Sequence, residues 1–158
     1  MKTAIRYYSK FGHTQQMVEA VKDIVGCEPQ TVDTPLQEPV DMLLLGAGVF
    51  LGKVDGSVTR FIESLTPDQV KRVVCFGSCA IIKSPVPQMR KALEARGITV
   101  DEREFTCPGA MGPIKAGHPN EKDIENFRQF VKDHPTVYLS THCPEGYENL
   151  EMKRVITL

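Results

Sequence analysis

The chain has 158 residues and a formal net charge of −1, from 19 basic and 20 acidic side chains. This near-balanced charge gives no electrostatic reason to expect a nucleic acid or an anionic membrane as a partner. Because there is no apolar stretch of about 20 residues and no charged-then-apolar leader, the sequence predicts one cytoplasmic domain without membrane insertion.

Strands and helices are predicted to alternate along the chain. In chain order, the pattern predicts strand Thr3–Tyr8, helix Thr14–Val25, strand Gln30–Val32, loop Thr34–Pro39, strand Asp41–Ala47, helix Ser57–Leu65, strand Arg72–Phe76, helix Val86–Arg96, strand Ile98–Phe105 and helix Asn120–Asp133. The apolar runs 42–45 and 73–76 lack polar alternation, which is typical of strands covered on both faces. We therefore expect an α/β fold with a three-layer, doubly wound, five-stranded parallel sheet.

Capping residues and one charged residue within a predicted strand refine this prediction. Ser57 is expected to cap its helix, and Gly97 is expected to close the helix before it. Arg6 lies in the middle of a strand where an apolar residue is expected. We expect it to reach a sheet edge or to pair with a carboxylate, and a partner-binding role is the alternative.

The cysteines favour a reducing compartment. They are Cys27, Cys75, Cys79, Cys107 and Cys143. An odd number without tight pairing is typical of free thiols. Cys75 and Cys79 lack a second cysteine or histidine pair nearby, so we expect no metal site, and we expect Cys75 to be a buried strand residue.

Residues 9–14, Ser-Lys-Phe-Gly-His-Thr, join the first strand to the first helix. Unpaired N–H groups and the positive end of a helix dipole make this position an anion site, and the usual anion is phosphate. Gly12 lets the backbone approach closely, and the hydroxyls of Ser9 and Thr14 can donate hydrogen bonds. The alternative is an ordinary turn with Thr14 as the helix cap.

Two further loops are expected at the same edge of the sheet, where ligands of open parallel sheets bind. These are residues 46–52 and 77–81, both rich in glycine and small residues. Their apolar side chains suit a flat aromatic system, and they are Val49, Phe50, Leu51 and Ile81. A molecule with a phosphate at one end and a large ring at the other would fill all three loops. The alternative is that the glycines merely turn the chain.

With these motifs, residues 1–134 resemble the flavodoxin-like family, which binds FMN. Segment 9–14 resembles the family's phosphate loop, Ser/Thr-x-x-Gly-x-Thr. Segment 41–52 resembles its third strand and first flavin-flanking loop, and 77–79 resembles the start of the second. Segment 117–123 resembles the Gly-x-Pro-x-x-x-Asp sequence that opens the last helix in many small members.

The resemblance implies a flavodoxin-like fold with FMN as cofactor, and it implies no catalytic side chain. The implied phosphate contacts are Ser9, Lys10, Phe11, Gly12, His13 and Thr14. The implied ring contacts are Gly48, Val49, Phe50, Ser78, Cys79 and Ala80, with Met111 and Gly112 closing over the edge of the ring.

The chain also departs from the family's electron-shuttle members. It has no tryptophan, places Phe50 alone at the first ring loop, and has Cys79 where an aromatic residue is common. Its balanced charge argues against docking to a basic partner through a large acidic field. Thr34–Pro39 replaces a full second helix, and the strand Ile98–Phe105 shows no long insertion, which favours the short-chain branch.

The implied function is an electron carrier that passes electrons from a reductase to a partner oxidoreductase, as a monomer or homodimer. One alternative is a flavoenzyme that reduces a quinone, a free flavin or a porphyrin-type substrate with NAD(P)H or a quinol. In that case the candidate proton donors are His13, His118 and His142. A flavodoxin-like fold without flavin is a third alternative.

Residues 135–158 are predicted to form a C-terminal extension to the domain 1–134. Thr136–Ser140 and Met152–Leu158 are rich in β-branched and apolar residues, which suggests a hairpin. We expect this segment to pack on the domain's own surface. The alternative is a pairing surface for a second copy or for a redox partner.

Overall fold

The computed structural model describes residues 1–81 and 84–142. Its elements, in chain order, are β1 (Thr3–Tyr7), α1 (His13–Val25), β2 (Gln30–Thr31), β3 (Val40–Phe50), β4 (Lys53–Val54), α2 (Gly56–Ser64), β5 (Val70–Cys79), α3 (Val86–Ala95), β6 (Phe105–Pro108), α4 (Glu121–Asp133) and α5 (Pro135–His142). The predicted alternation of strands and helices is confirmed.

The sheet has the strand order β2-β1-β3-β5-β6, and all neighbours on this path are parallel. The short β4 pairs antiparallel with the end of β3. Because the chain runs from β1 outward to β2 and then returns to β3 on the other side of β1, the strand order reverses there. That reversal opens a crevice beyond the carboxyl ends of β1 and β3.

Helices cover both faces of the sheet and enclose two separate cores. Alternate strand residues point to opposite faces: Leu43 and Leu45 pack with α2 and α3, whereas Met42 and Leu44 pack with α1 and α4. Each of these side chains is at most 2% exposed, and burying one contributes about 1.5–3 kcal/mol. The three-layer, doubly wound prediction is therefore confirmed.

Three local predictions needed correction. The cap of α2 is Asp55, whose carboxylate accepts the N–H of Ser57 at 2.9 Å, so Ser57 is not the cap. The cap of α1 is Gly12, so Thr14 is not its cap. The last strand covers Phe105–Pro108 rather than Ile98–Phe105, with an isolated bridge at Val100. Ile98 is instead buried in the core under α3, and its N–H bonds back to Leu93.

Arg6 is buried but does not pair with a carboxylate among the described residues. Its guanidinium donates to main-chain carbonyls: Nε to Thr34 at 2.8 Å, Nη2 to Pro35 at 3.0 Å and Nη1 to Ile5 at 3.0 Å. The side chain is 5% exposed, and its desolvation lowers the pKa of the guanidinium. The loop between β2 and β3 takes the place of a second helix. Arg6 donates the hydrogen bonds that fix this loop at Thr34 and Pro35.

A buried carboxylate joins the start of β5 to the junction of α4 and α5. Asp101 is 2% exposed, and it accepts from His134 Nε2 at 3.0 Å, Arg72 Nη1 at 3.2 Å and the N–H of Arg103 at 2.8 Å. Burial by itself would raise the pKa of Asp101, but these donors outweigh it and hold the pKa well below its usual range.

The segment Thr136–Ser140 lies in helix α5, so it is not the strand of a hairpin. Pro135 opens the helix, where its missing N–H is not needed, and the N–H of Thr136 donates to Nδ1 of the buried His134. Met152–Leu158 lies outside the described residues, and the division at residue 134 stays a prediction. Within 1–81 and 84–142, no helix is both long and apolar enough to cross a bilayer.

Candidate functional site

A cavity of about 280 Å³ opens at the carboxyl ends of β1, β3 and β5. It is lined by Tyr8, Ser9, Lys10, Phe11, His13, Thr14, Gly48, Val49, Phe50, Lys53, Val54, Asp55, Gly56, Ser78, Cys79, Ala80, Gly109, Ala110 and Met111. Of the residues that the family resemblance implies as FMN contacts, all except Gly12 and Gly112 line this cavity. The structure therefore brings the predicted loops together, and their ligand contacts stay a prediction.

A second cavity of about 250 Å³ adjoins the first. The two share Val49, Cys79, Ala80 and Met111, and the second extends to Leu51, Gly52 and Ile81. Its lining is mostly apolar side chains and glycine. Together the two cavities form one cleft that is polar at the end of β1 and apolar between the ends of β3 and β5.

The polar end is built by the N-terminus of α1. Gly12 caps the helix with a φ of 85°, a left-handed conformation that glycine adopts without steric cost. No side chain caps the helix, and its first turn contains no acidic residue. Within the described residues, the N–H groups of residues 10–14 have no protein acceptor, whereas that of Gln15 donates to Ser9 Oγ at 3.3 Å. These free donors and the helix dipole favour an anion.

Aromatic rings and one lysine form a wall of the cleft. Lys10 Nζ lies 3.5 Å from the centroid of the Phe50 ring and 5.7 Å from that of Phe11. The two phenylalanine rings are 5.9 Å apart. Such a cation–π contact is worth about 0.5–1 kcal/mol at an exposed site. It places a positive charge between the anion end and the apolar end of the cleft.

The first predicted ring loop is mostly strand. Gly48 and Val49 pair with Ser78 and Cys79 of β5, and Phe50 pairs with Lys53 of β4. Only Leu51 and Gly52 form the turn, with φ values of 50° and 78°, as in tight hairpin turns. From α3, the Gln88 side chain donates to the Gly52 carbonyl at 2.8 Å and accepts the N–H of Val54 at 3.0 Å. The hairpin is thus held in place over the cleft.

This hairpin explains most of the lining residues that sequence reasoning missed. Because β4 has only two residues, no periodic pattern revealed it, yet it returns the chain to Asp55 and the start of α2. The Tyr8 side chain interacts electrostatically with the Asp55 carboxylate. Burial and then the charge of Asp55 raise the pKa of Tyr8, while the N–H and hydroxyl of Ser57 lower that of Asp55. In the sequence, Asp55 lies two residues before Ser57, and it was the feature that could have indicated the true cap of α2.

The loop after β6 closes the third side of the cleft. His13 Nε2 donates to the Ala110 carbonyl at 2.8 Å, which ties this loop to the start of α1. A side chain at Gly109 would be crowded, since a Cβ there would lie 3.0 Å from Ser78 Oγ and that side chain would have to move slightly. Ala110 in turn donates its N–H to the carbonyl of His118 at 2.9 Å. Ala110 therefore ties the loop both to the start of α1 and to its own later residue His118.

The candidate reactive side chains occupy different places. Cys79 lines both cavities, and burial raises the pKa of its thiol, with a smaller opposing effect from Lys115. This favours a packing role for Cys79 over a thiolate role. His118 lies outside the cavity lining, where its Nδ1 bonds to Asp123 at 2.6 Å. His142 is the last residue of α5. Of the three predicted proton donors, His13 lies in the described lining of the cleft.

No family model matches the chain. An uncharacterised protein of Methanocaldococcus jannaschii is 24% identical over an alignment of 147 positions that covers 84% of this chain and 97% of that protein. Because the match covers most of both chains, the two proteins are of similar length.

Several solved structures share the architecture. A flavodoxin from the domain Archaea has a TM-score of 0.65 at 20% identity, over 82% of this chain and 93% of its own. Oxidised flavodoxin 2 of Bacillus cereus has a TM-score of 0.62 at 18% identity, over 82% and 94%. A flavoprotein of Lactobacillus acidophilus in complex with FMN has a TM-score of 0.53 at 17% identity, over 66% and 91%. The chain has the flavodoxin-like fold, and the resemblance drawn from its motifs is confirmed at that level.

Proposed function

We propose that this chain binds FMN in the cleft and acts as an electron-transfer protein between a reductase and a partner oxidoreductase. One observation carries the proposal: the uncapped N-terminus of α1 and an apolar ring-sized cleft share one cavity where the strand order reverses. That is the ligand position of open α/β sheets. The FMN complex of the Lactobacillus acidophilus flavoprotein, which has the same fold, supports the choice of ligand.

The donor set at the polar end fits a phosphate. Free N–H groups of residues 10–14, the hydroxyl of Ser9 and the ammonium of Lys10 all favour a dianion, and the first turn of α1 places no carboxylate against it. A side chain at Gly12 would intrude where the backbone must approach the phosphate. These residues would therefore hold the phosphate of FMN.

The apolar end fits a planar ring. Val49 and Phe50 on one side and Cys79 and Ala80 on the other would contact it, with Met111 at its edge. When bound, FMN supplies electron-transfer chemistry that no side chain provides. The apolar lining disfavours additional negative charge on the ring and so lowers its reduction potential, whereas Lys10 and Lys53 oppose that effect.

An anaerobic visible spectrum of the FMN-loaded protein, recorded before and after adding NADPH, tests the proposal. We expect bound flavin that stays oxidised, because a carrier needs a separate reductase. Bleaching of the flavin band by NADPH alone would favour a flavoenzyme, with His13 as its candidate proton donor. Failure to retain FMN under conditions where the protein is folded would contradict the proposal altogether.

A further inference from the structure

We propose that the rim of the cleft is a docking surface for an electron-transfer protein with negative charge around its redox centre. The rim surface consists of the apolar side chains Phe11, Phe50, Leu51, Ile81 and Ile114 and the lysines Lys10, Lys53 and Lys115. This inference rests on the proposed function, since an electron carrier needs a contact surface next to its cofactor.

Exposed apolar side chains are concentrated on this rim. In the described part of the chain, seven large apolar side chains are exposed, and all but Met1 and Tyr138 belong to the rim surface. Leu51 is 76% exposed and Ile81 is 52% exposed. Clustered apolar exposure of this kind marks an interaction site, whereas scattered exposure does not.

Leu51 has a strained backbone conformation and an exposed apolar side chain. Its φ of 50° is left-handed, a conformation that a non-glycine residue adopts rarely and that asparagine or glycine adopts more easily. The side chain is also turned to solvent at the tip of the β3–β4 hairpin. A strained and exposed leucine does not serve the packing of its own chain, which favours a role in contact with another molecule.

The charge around these apolar side chains is positive. Residues 9–14, 48–56, 78–81 and 109–118 contain three lysines and one aspartate, a net charge of +2. Because the whole chain carries −1, the rest of it carries −3. Among the described residues, none of the three lysines forms an ion pair, whereas the aspartate, Asp55, caps α2 and accepts the N–H and the hydroxyl of Ser57.

Charge complementarity therefore selects an acidic partner. Lys10 would be engaged by the phosphate of FMN, so the steering charge comes from Lys53 and Lys115, which form no ion pair among the described residues. These two lysines would attract a negatively charged surface toward the cleft, and the apolar side chains would then form the contact. Adhesion to an anionic membrane is less favoured, because lipid-binding patches cluster about four to eight basic residues. The surface is the reverse of the large acidic field that characterises flavodoxin-like electron shuttles.

The sign of the salt dependence tests the proposal directly. FMN loading is first measured by absorbance, so that failure to load counts against the proposed function alone. Electron transfer is then followed by stopped flow from reduced plant-type ferredoxin, an acidic donor of one electron, to the bound oxidised FMN. In the second reaction the reduced protein passes one electron to oxidised cytochrome c, a basic acceptor. We expect the ferredoxin rate to fall about tenfold between about 10 mM and 300 mM salt, and the cytochrome c rate to rise or stay constant. The opposite pattern would overturn the proposal.

Charge reversal localises the effect. The double variant Lys53→Glu/Lys115→Glu is compared with Lys91→Glu/Lys132→Glu, which changes net charge equally on the exposed surfaces of α3 and α4. At low salt and saturating FMN, we expect the first to slow electron transfer from ferredoxin about fivefold or more and the second by less than about twofold. Equal losses would show that only overall charge matters.

Binding without electron transfer gives an independent measurement. Oxidised ferredoxin is titrated into FMN-loaded and FMN-free protein, and methyl chemical shifts are recorded by NMR. We expect shifts at Leu51, Ile81 and Ile114 but not at Ile24 on α1, and we expect Leu51→Asn to weaken binding about threefold or more. Unchanged rim methyls, or shifts produced only by anionic phosphatidylserine vesicles, would contradict the protein-docking surface.

Discussion

At the scale of single residues, the cleft depends on two positions where the side chain, or its absence, is decisive. Gly12 places the backbone of α1 at the anion end, in a conformation that other residues adopt only with strain. Phe50 supplies the ring that faces the apolar end, under the ammonium of Lys10. In the proposed complex the two positions would act on opposite ends of FMN, so they can be tested with ligands that differ only in the phosphate.

The Gly12→Val variant is expected to lose FMN affinity by about 100-fold or more, because a β-branched side chain would block the approach of the phosphate. Its strain is of the order of 1–2 kcal/mol. Gly26→Val is the matched control: Gly26 ends the same helix with a φ of 77° and likewise has open space around it. Fluorescence titration with FMN should separate the two variants. Equal FMN affinity in both would contradict the phosphate assignment.

The Phe50→Ala variant is expected to weaken FMN and riboflavin equally, by about 10- to 100-fold, as for the loss of about 1–3 kcal/mol of aromatic contact. Gly12→Val, by contrast, should spare riboflavin, which lacks the phosphate. Titration of both ligands measures this, with Tyr138→Ala as an exposed aromatic control on α5. If wild-type affinity for both ligands persisted in Phe50→Ala, Phe50 would not contact the flavin.

At the scale of elements, two short connections next to the sheet are fixed by side-chain hydrogen bonds. The loop after β2 has no helix to satisfy its carbonyls, and Arg6 satisfies them from within β1. The hairpin of β3 and β4 is likewise held by one side chain, Gln88 of α3. In both cases a single polar side chain fixes the path of a connection next to the sheet.

The Arg6→Met variant is expected to lower the free energy of unfolding by about 2–4 kcal/mol, because the buried guanidinium donors are lost: the Thr34 carbonyl would have no donor, and the Pro35 carbonyl would keep only the Gln37 amide at 3.3 Å. Arg6→Lys should fall between this variant and the wild type, since it keeps some donor capacity. Urea unfolding measures the loss, and hydrogen exchange should rise first in residues 33–39. A change below about 0.5 kcal/mol in Arg6→Met would show that water satisfies these carbonyls.

At the scale of the whole molecule, the two ends of the sheet carry different features. The carboxyl ends of the strands carry the cleft, whereas the opposite end carries the buried Asp101 network that joins α4 and α5 to the sheet. The candidate ligand cleft and the buried Asp101 network thus lie at opposite ends of β5. Changes at one end should leave the other largely unaffected.

The Asp101→Asn variant is expected to lose about 3–5 kcal/mol at pH 7, because it breaks a buried ion-pair network. The pKa of Asp101 is lowered in the folded state. Its contribution is therefore fully present above the unfolded pKa of about 3.9 and is lost as the pH falls toward the folded value. Urea unfolding at several pH values should show the gap to wild type narrowing below about pH 4. A gap independent of pH would rule out this origin.

The exposed pair of Asp41 and Lys71 provides the control for that experiment. Surface ion pairs contribute about 1 kcal/mol or less, so Lys71→Ala should change the unfolding free energy little at pH 7. FMN affinity should stay at the wild-type level in both variants.

The sequence was sufficient to predict the alternating fold and the convergence of the loops at Ser9–Thr14, Gly48–Phe50 and Ser78–Ala80. It was insufficient where tertiary contacts override local preference. The β-branched segment Thr136–Ser140 is helical because His134 is anchored by Asp101 and Pro135 starts the helix. β4 was missed because two residues carry no periodicity. The glycines at 46, 48 and 52 favoured a loop, whereas Gly48–Phe50 are held in the sheet by pairing with β5 and β4, which glycine content alone does not indicate.

The unequal lengths of the strands affect how the molecule behaves when it is crowded. The long β3 and β5 lie inside the sheet, whereas the outer strands of the described sheet are β2, with two residues, and β6, with four. An edge this short offers few free N–H and C=O groups on which a second chain could add a strand. The sheet thus keeps its most apolar strands away from edge-to-edge aggregation without needing charged gatekeeper residues on its borders.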